Sequence, residues 1–124
     1  MSAPTILFLD DDDDLREAVT AVFGMLGREC LALPSVAAMI DTRDTALACE
    51  LVILDVNLGD GLPSGVDAFA WLRDQKFGGR IVFLTGHARS DLTVARASTL
   101  SEHVLQKPLS TEELRALATD ARGS

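Results

Sequence analysis

Cysteine is scarce in this chain. Cys30 and Cys49 are the only two in 124 residues, and no zinc-ligand spacing is present. Both thiols are expected to be free, small and buried. Positive charge is also in short supply: 11 Lys and Arg stand against 19 Asp and Glu, a formal net charge of −8. Such a surface repels phosphate backbones and anionic membranes, so direct nucleic acid binding is not expected. Long apolar runs are missing as well. None approaches the roughly 20 residues needed to span a bilayer. No signal-peptide pattern precedes the first apolar segment, which begins after four residues. These absences point to a soluble domain in a reducing, cytoplasmic setting, with no membrane partner.

What is present is a core. Apolar residues make up 48% of the chain and charged residues an ordinary 24%, so disorder is not expected. The length suits one domain over residues 1–124. Four apolar segments read as buried strands: 5–9, 51–55, 80–84 and the short 104–106, with 30–33 as a fifth. Between them lie helical patterns. Leu15, Ala18, Val19, Val22, Met25 and Leu26 recur at helical spacing, with Gly27 as the residue just past the helix end. Ser35 caps a weak helix with Val36, Met39 and Ile40 on one side, and 41–48 is an irregular or helical return. A loop over 56–65 leads to a helix over 66–75 that offers Val66, Phe69, Ala70 and Leu72 to the core, with Trp71 as packing or helix surface. Gly78-Gly79 makes a turn. Ser90 caps a helix over 91–99. Ser110 and Glu113 form a capping box ahead of Leu114, Leu117, Ala118 and Ala121. Strands alternating with helices predict an α/β fold with a parallel sheet covered on both faces.

The strand ends carry the chemistry. Asp10 and Asp11 follow the first strand, Asp55 ends the third, Thr85-Gly86 ends the fourth, and Lys107-Pro108 follows the fifth. In a parallel sheet these groups meet at the carboxyl edge, where open α/β sheets bind ligands. Asp10 to Asp14 is an unbroken acidic run. Asp13 and Asp14 suit the cap and first turn of the following helix, whereas Asp10 and Asp11 lie too close to a buried strand for that role. Two carboxylates about 4 Å apart repel by roughly 4 kcal/mol at an effective dielectric near 20. A cluster of Asp10, Asp11 and Asp55 therefore needs compensation, by protonation or by a cation, and Lys107 supplies only one positive charge. Mg²⁺ fits, because it commonly takes one or two carboxylates and retains waters or phosphate oxygens. Asp55 would then be an ionised nucleophile able to carry an acyl phosphate. Lys107 would neutralise phosphoryl oxygens and the Thr85 hydroxyl would donate to one of them.

This constellation resembles the receiver domain of two-component response regulators over essentially the full chain. The resemblance implies a doubly wound, flavodoxin-like (βα)5 fold with strand order 2-1-3-4-5. It implies that Asp55 is the phosphoacceptor, that Asp10, Asp11 and Asp55 bind Mg²⁺, and that Asn57 adds its main-chain carbonyl. Thr85 and Lys107 would grip the phosphoryl group, and a cis Lys107-Pro108 bond would aim the ammonium inward. Asn57 and His87 would influence the lifetime of the acyl phosphate. Three departures stand out. Val104 occupies a position often held by Phe or Tyr, Leu100-Ser101 replaces a common Ala-Gly, and the loop from Asp55 to Gly65 is about two residues longer than usual.

The implied function is a phosphorylatable receiver. A histidine kinase or histidine phosphotransfer protein would supply the phosphoryl group. A downstream target or output domain would read the face made by the helix over 91–99, the strand over 104–106 and the last helix, with phosphorylation-dependent dimerisation as a further output. Catalysis would be limited to self-phosphorylation and autodephosphorylation. Two alternatives share the fold: a Mg²⁺-dependent phosphatase with an aspartyl nucleophile, and a protein-binding module independent of phosphorylation, which Val104 favours.

Overall fold

A computed structural model describes residues 4–56, 58, 63–86, 104–106 and 109–120. The elements run β1 (Ile6–Leu9), α1 (Asp13–Met25), β2 (Cys30–Leu33), α2 (Val36–Asp41), α3 (Arg43–Ala48), β3 (Leu51–Asp55), α4 (Gly65–Asp74), β4 (Arg80–Thr85), β5 (Val104–Gln106) and α5 (Thr111–Asp120). All four strand pairings are parallel, and the order is β2-β1-β3-β4-β5. The fold is the doubly wound, flavodoxin-like sheet that the resemblance implies. The expected helix over 91–99 lies outside the described residues.

Strand alternation sorts the core onto two faces. Leu7, Leu9, Val52, Leu54, Ile81 and Phe83 join Val36, Met39, Val66, Phe69 and Leu72 on one side. Ile6, Phe8, Leu51, Ile53, Val82 and Leu84 join Val19, Phe23, Leu114 and Leu117 on the other. The central strands are buried on both faces, which is why they read as continuous apolar runs rather than alternating ones.

The helix faces differ from the expected stripes at several positions. Met25 is 86% exposed and Ala18 is also outside, while Phe23, absent from the expected stripe, is fully buried. The stripe that faces the sheet runs through Leu15, Val19, Val22, Phe23 and Leu26. Two residues beyond Phe23, Met25 falls about 200° around the helix, on the solvent side. Ile40 is exposed on α2, and α4 buries Ala68 rather than Ala70. The 41–48 return is helical. It is separated from α2 at Thr42, whose hydroxyl donates to the carbonyls of Ala38 at 3.1 Å and Met39 at 3.2 Å. Trp71 is half-buried against the α2/α4 side.

Both cysteines are free. Burial pushes the Cys30 thiol up to about 12 and the Cys49 thiol up to about 11. The thiols thus stay protonated near neutral pH and behave as small core residues.

Candidate acidic phosphoacceptor site

Register alone brings the site together. Leu9 pairs with Leu54, so Asp10, the next residue, stands beside Asp55 at the carboxyl edge. Asp55 pairs with Leu84, which puts Thr85 one step further along the neighbouring strand. Thr85 in turn pairs with Gln106, the residue before Lys107. Asp10, Asp55 and Thr85 are the buried polar residues of the described core, at 0%, 3% and 2% exposure. Asp11 is exposed. One carboxylate oxygen each from Asp10, Asp11 and Asp55 falls within 4.8 Å of the others. Asn57, His87 and the Lys107-Pro108 pair lie outside the described residues.

The aspartate run divides at Asp12. The Asp12 side chain caps α1, accepting from the Leu15 amide at 3.1 Å. Asp13 and Asp14 both lie in the first turn, so the cap falls one residue earlier than the sequence reading places it. The reason is Asp10. Its Oδ1 accepts from the Asp12 amide at 2.9 Å, a tight turn that brings the helix start forward. Arg16 then closes the arrangement. Its Nη1 donates to the Asp10 carbonyl at 2.7 Å, and its Nη2 pairs with Asp13. Arg16 escaped the sequence reading. The available signal was its place four residues after the Asp12 cap, one helical turn on, where a long side chain reaches back over the helix start.

Gly65 was also missed as a site residue. A Cβ on it would lie 2.3 Å from the Asp55 carbonyl oxygen, 2.9 Å from the Asp55 carbonyl carbon and 3.1 Å from Val56 Cα. Its amide donates to the Val56 carbonyl at 3.0 Å. The start of α4 is thus pressed against the backbone that presents Asp55. Ser64 fixes that start through a capping box. Its amide donates to Asp67 Oδ2 at 2.7 Å, and its Oγ accepts from the amides of Val66 at 3.2 Å and Asp67 at 3.4 Å. The Val56 amide donates to the Leu84 carbonyl at 2.8 Å, tying the same segment to β4.

The donor set fits a hard divalent cation. At 4.8 Å, two carboxylate charges repel by roughly 3 kcal/mol at an effective dielectric near 20. Three acidic oxygens form the kind of partial shell that Mg²⁺ accepts.

The response regulator receiver domain family model matches residues 6–119. The chain belongs to that family. Nodulation protein W of Bradyrhizobium diazoefficiens is 32% identical over 115 residues, covering 91% of the chain and 49% of that protein. The receiver domain thus spans about half the length of that curated relative. Solved structures agree on the fold. The receiver domain of NtrX from Brucella abortus superposes with a TM-score of 0.80 at 22% identity, over 96% of this chain and 98% of that one. The signal receiver domain of a putative Luxo repressor protein from Vibrio parahaemolyticus gives 0.77 at 21% identity, over 98% and 94%. Phosphorylation-based signalling is general for the family, whose members typically bind Mg²⁺ at an acidic pocket and act as signalling modules rather than enzymes.

Proposed function

We propose that this chain, as one receiver domain over residues 1–124, takes a phosphoryl group onto Asp55 from a histidine kinase or histidine phosphotransfer protein in the cytoplasm. The observation that carries the reading is the convergence of Asp10, Asp11 and Asp55 within 4.8 Å, with Thr85 buried on the adjoining strand.

An Asp55 carboxylate oxygen attacks phosphorus in line. The O–P bond forms as the P–N bond to the donor imidazole breaks, and the imidazole nitrogen keeps the bonding pair. Thr85 would donate its hydroxyl to a phosphoryl oxygen, and Lys107 would neutralise another. Asp10 and Asp11 would hold Mg²⁺ with Asp55 and the Asn57 carbonyl. When bound, the ion supplies neutralising charge for the carboxylates and the phosphoryl oxygens. The phosphorylated state is then read at the face of residues 91–99, 104–106 and the last helix by a protein target, an output domain or a second copy. Val104 is half-buried and packed against the α2/α4 core. It has no ring to swing inward, so an aromatic relay does not operate at this position.

The test is mass spectrometry after incubation with acetyl phosphate and Mg²⁺. A single phosphoryl gain that disappears in Asp55→Asn is expected. No gain, or a gain that survives the substitution, overturns the proposal. Turnover of an added phosphoester would instead favour the phosphatase alternative.

A further inference from the structure

The edge of the sheet opposite Asp55 holds a second charged feature. Arg28 stands two residues before β2, at the amino edge of the sheet. Together with Leu26 at the end of α1, and with Arg115, Ala118 and Thr119 of α5, it lines a concavity of about 180 Å³. The chain has a formal net charge of −8, yet two arginines line this one concavity. Neither has an ion-pair partner among the described residues.

Each guanidinium has donors to spare. Arg28 Nε donates to the Ala118 carbonyl at 3.3 Å, in the last turns of α5. That bond accounts for one nitrogen only. Arg28 Nη2 is buried and has no hydrogen-bond partner, so part of a cation that lines this concavity is desolvated with nothing to balance it. Arg115 is exposed at the same rim. The Thr119 hydroxyl donates back to the Arg115 carbonyl at 3.1 Å, so the hydrogen-bond donors facing this space are the arginines.

We propose that this concavity binds an oxyanion, a phosphate group or a carboxylate, between Arg28 and Arg115. Planar guanidinium forks match such oxygens and hold their charge at any working pH. The ligand would supply the missing counter-charge and clamp the end of α1 to α5. The site lies at the far edge from Asp55 and uses none of its residues, so it stands or falls independently of phosphorylation.

The test is an amide NMR titration of the Mg²⁺-free protein with inorganic phosphate at constant ionic strength, repeated with malonate. Saturable shifts confined to residues 26–29 and 115–119 are expected. The tighter of the two anions assigns the ligand as a phosphoryl group or a carboxylate. Arg115→Gln should raise the Kd about tenfold or more. Arg28→Lys, which keeps a charge but loses the fork, should raise it as well, with amide dispersion reporting that each variant is folded. Shifts that never saturate, shifts spread over the surface, or an unchanged Kd in either folded variant would overturn the site.

Discussion

Gly65 is defined by its neighbours rather than by its own conformation. The atoms a Cβ would strike, at 2.3 to 3.1 Å, all belong to the backbone of Asp55 and Val56, and backbone cannot rotate aside as a side chain can. Gly65→Ala should therefore cost about 1–3 kcal/mol in urea unfolding, the usual range for an overpacked interior. It should also displace Asp55, the proposed phosphoacceptor, and misplacing a reacting group by an ångström costs about a hundredfold in rate. A variant phosphorylated by acetyl phosphate at the parental rate would show that α4 does not position Asp55. Arg16 makes a different kind of contact. It grips the Asp10 carbonyl at 2.7 Å and leaves the carboxylate to the site. Arg16→Met should weaken Mg²⁺ binding about tenfold, the equivalent of one charge-assisted hydrogen bond, while unfolding free energy falls by only about 1 kcal/mol. Arg16→Lys should recover part of the affinity, because an ammonium can still donate to a single carbonyl. Calorimetric Mg²⁺ titration decides the point, and equal affinity in all three proteins would remove Arg16 from the site.

At the scale of elements, the strands were legible and the helix faces only partly so. A strand buried on both sides announces itself by composition, as 51–55 does. Its last polar residue marks the sheet edge, so Asp10, Asp55 and Thr85 were legible with it. A helix face is set by where the helix lands on the sheet, which no single residue encodes. Residues 15–26 hold enough apolar side chains for two overlapping stripes, and packing chose the one through Val19 and Phe23 over the one through Ala18 and Met25. The cap of α1 was misplaced for a related reason: in five consecutive aspartates the choice of cap depends on the turn that Asp10 makes with the Asp12 amide. Gly65 was missed because its role lies in close contact with the main chain of Asp55 and Val56, which leaves no pattern in side-chain chemistry, and Arg16 because its spacing signal depends on Asp12 being the cap. Paired substitutions on α1 measure the choice of stripe. Phe23→Ala should destabilise by about 3–5 kcal/mol, and Met25→Ala should stay within about 0.5 kcal/mol. Comparable losses at the two positions in denaturant titrations would mean that α1 is rotated from the orientation described.

For the whole molecule, the proposed cation site would trade stability for binding. Asp10 and Asp55 are both buried at the edge of an already acidic chain, and like charges held there would repel until a bound cation offset them. Folding and metal binding should then be linked. Mg²⁺ at about 100 times its Kd should stabilise the parent by about 2.7 kcal/mol, provided the unfolded chain does not bind it. Asp10→Asn removes one charge from the cluster, and an amide oxygen can still accept from the Asp12 amide. In EDTA this variant should be more stable than the parent by on the order of 1 kcal/mol, since relief of repulsion is moderated by solvent. In saturating Mg²⁺ the order should reverse, because the variant has lost a charged ligand. Thermal unfolding of both proteins with EDTA and with Mg²⁺ forms a closed cycle whose sign is fixed by this account. If Asp10→Asn is the less stable protein in EDTA and gains as much from Mg²⁺ as the parent does, the three carboxylates do not act as one cation site.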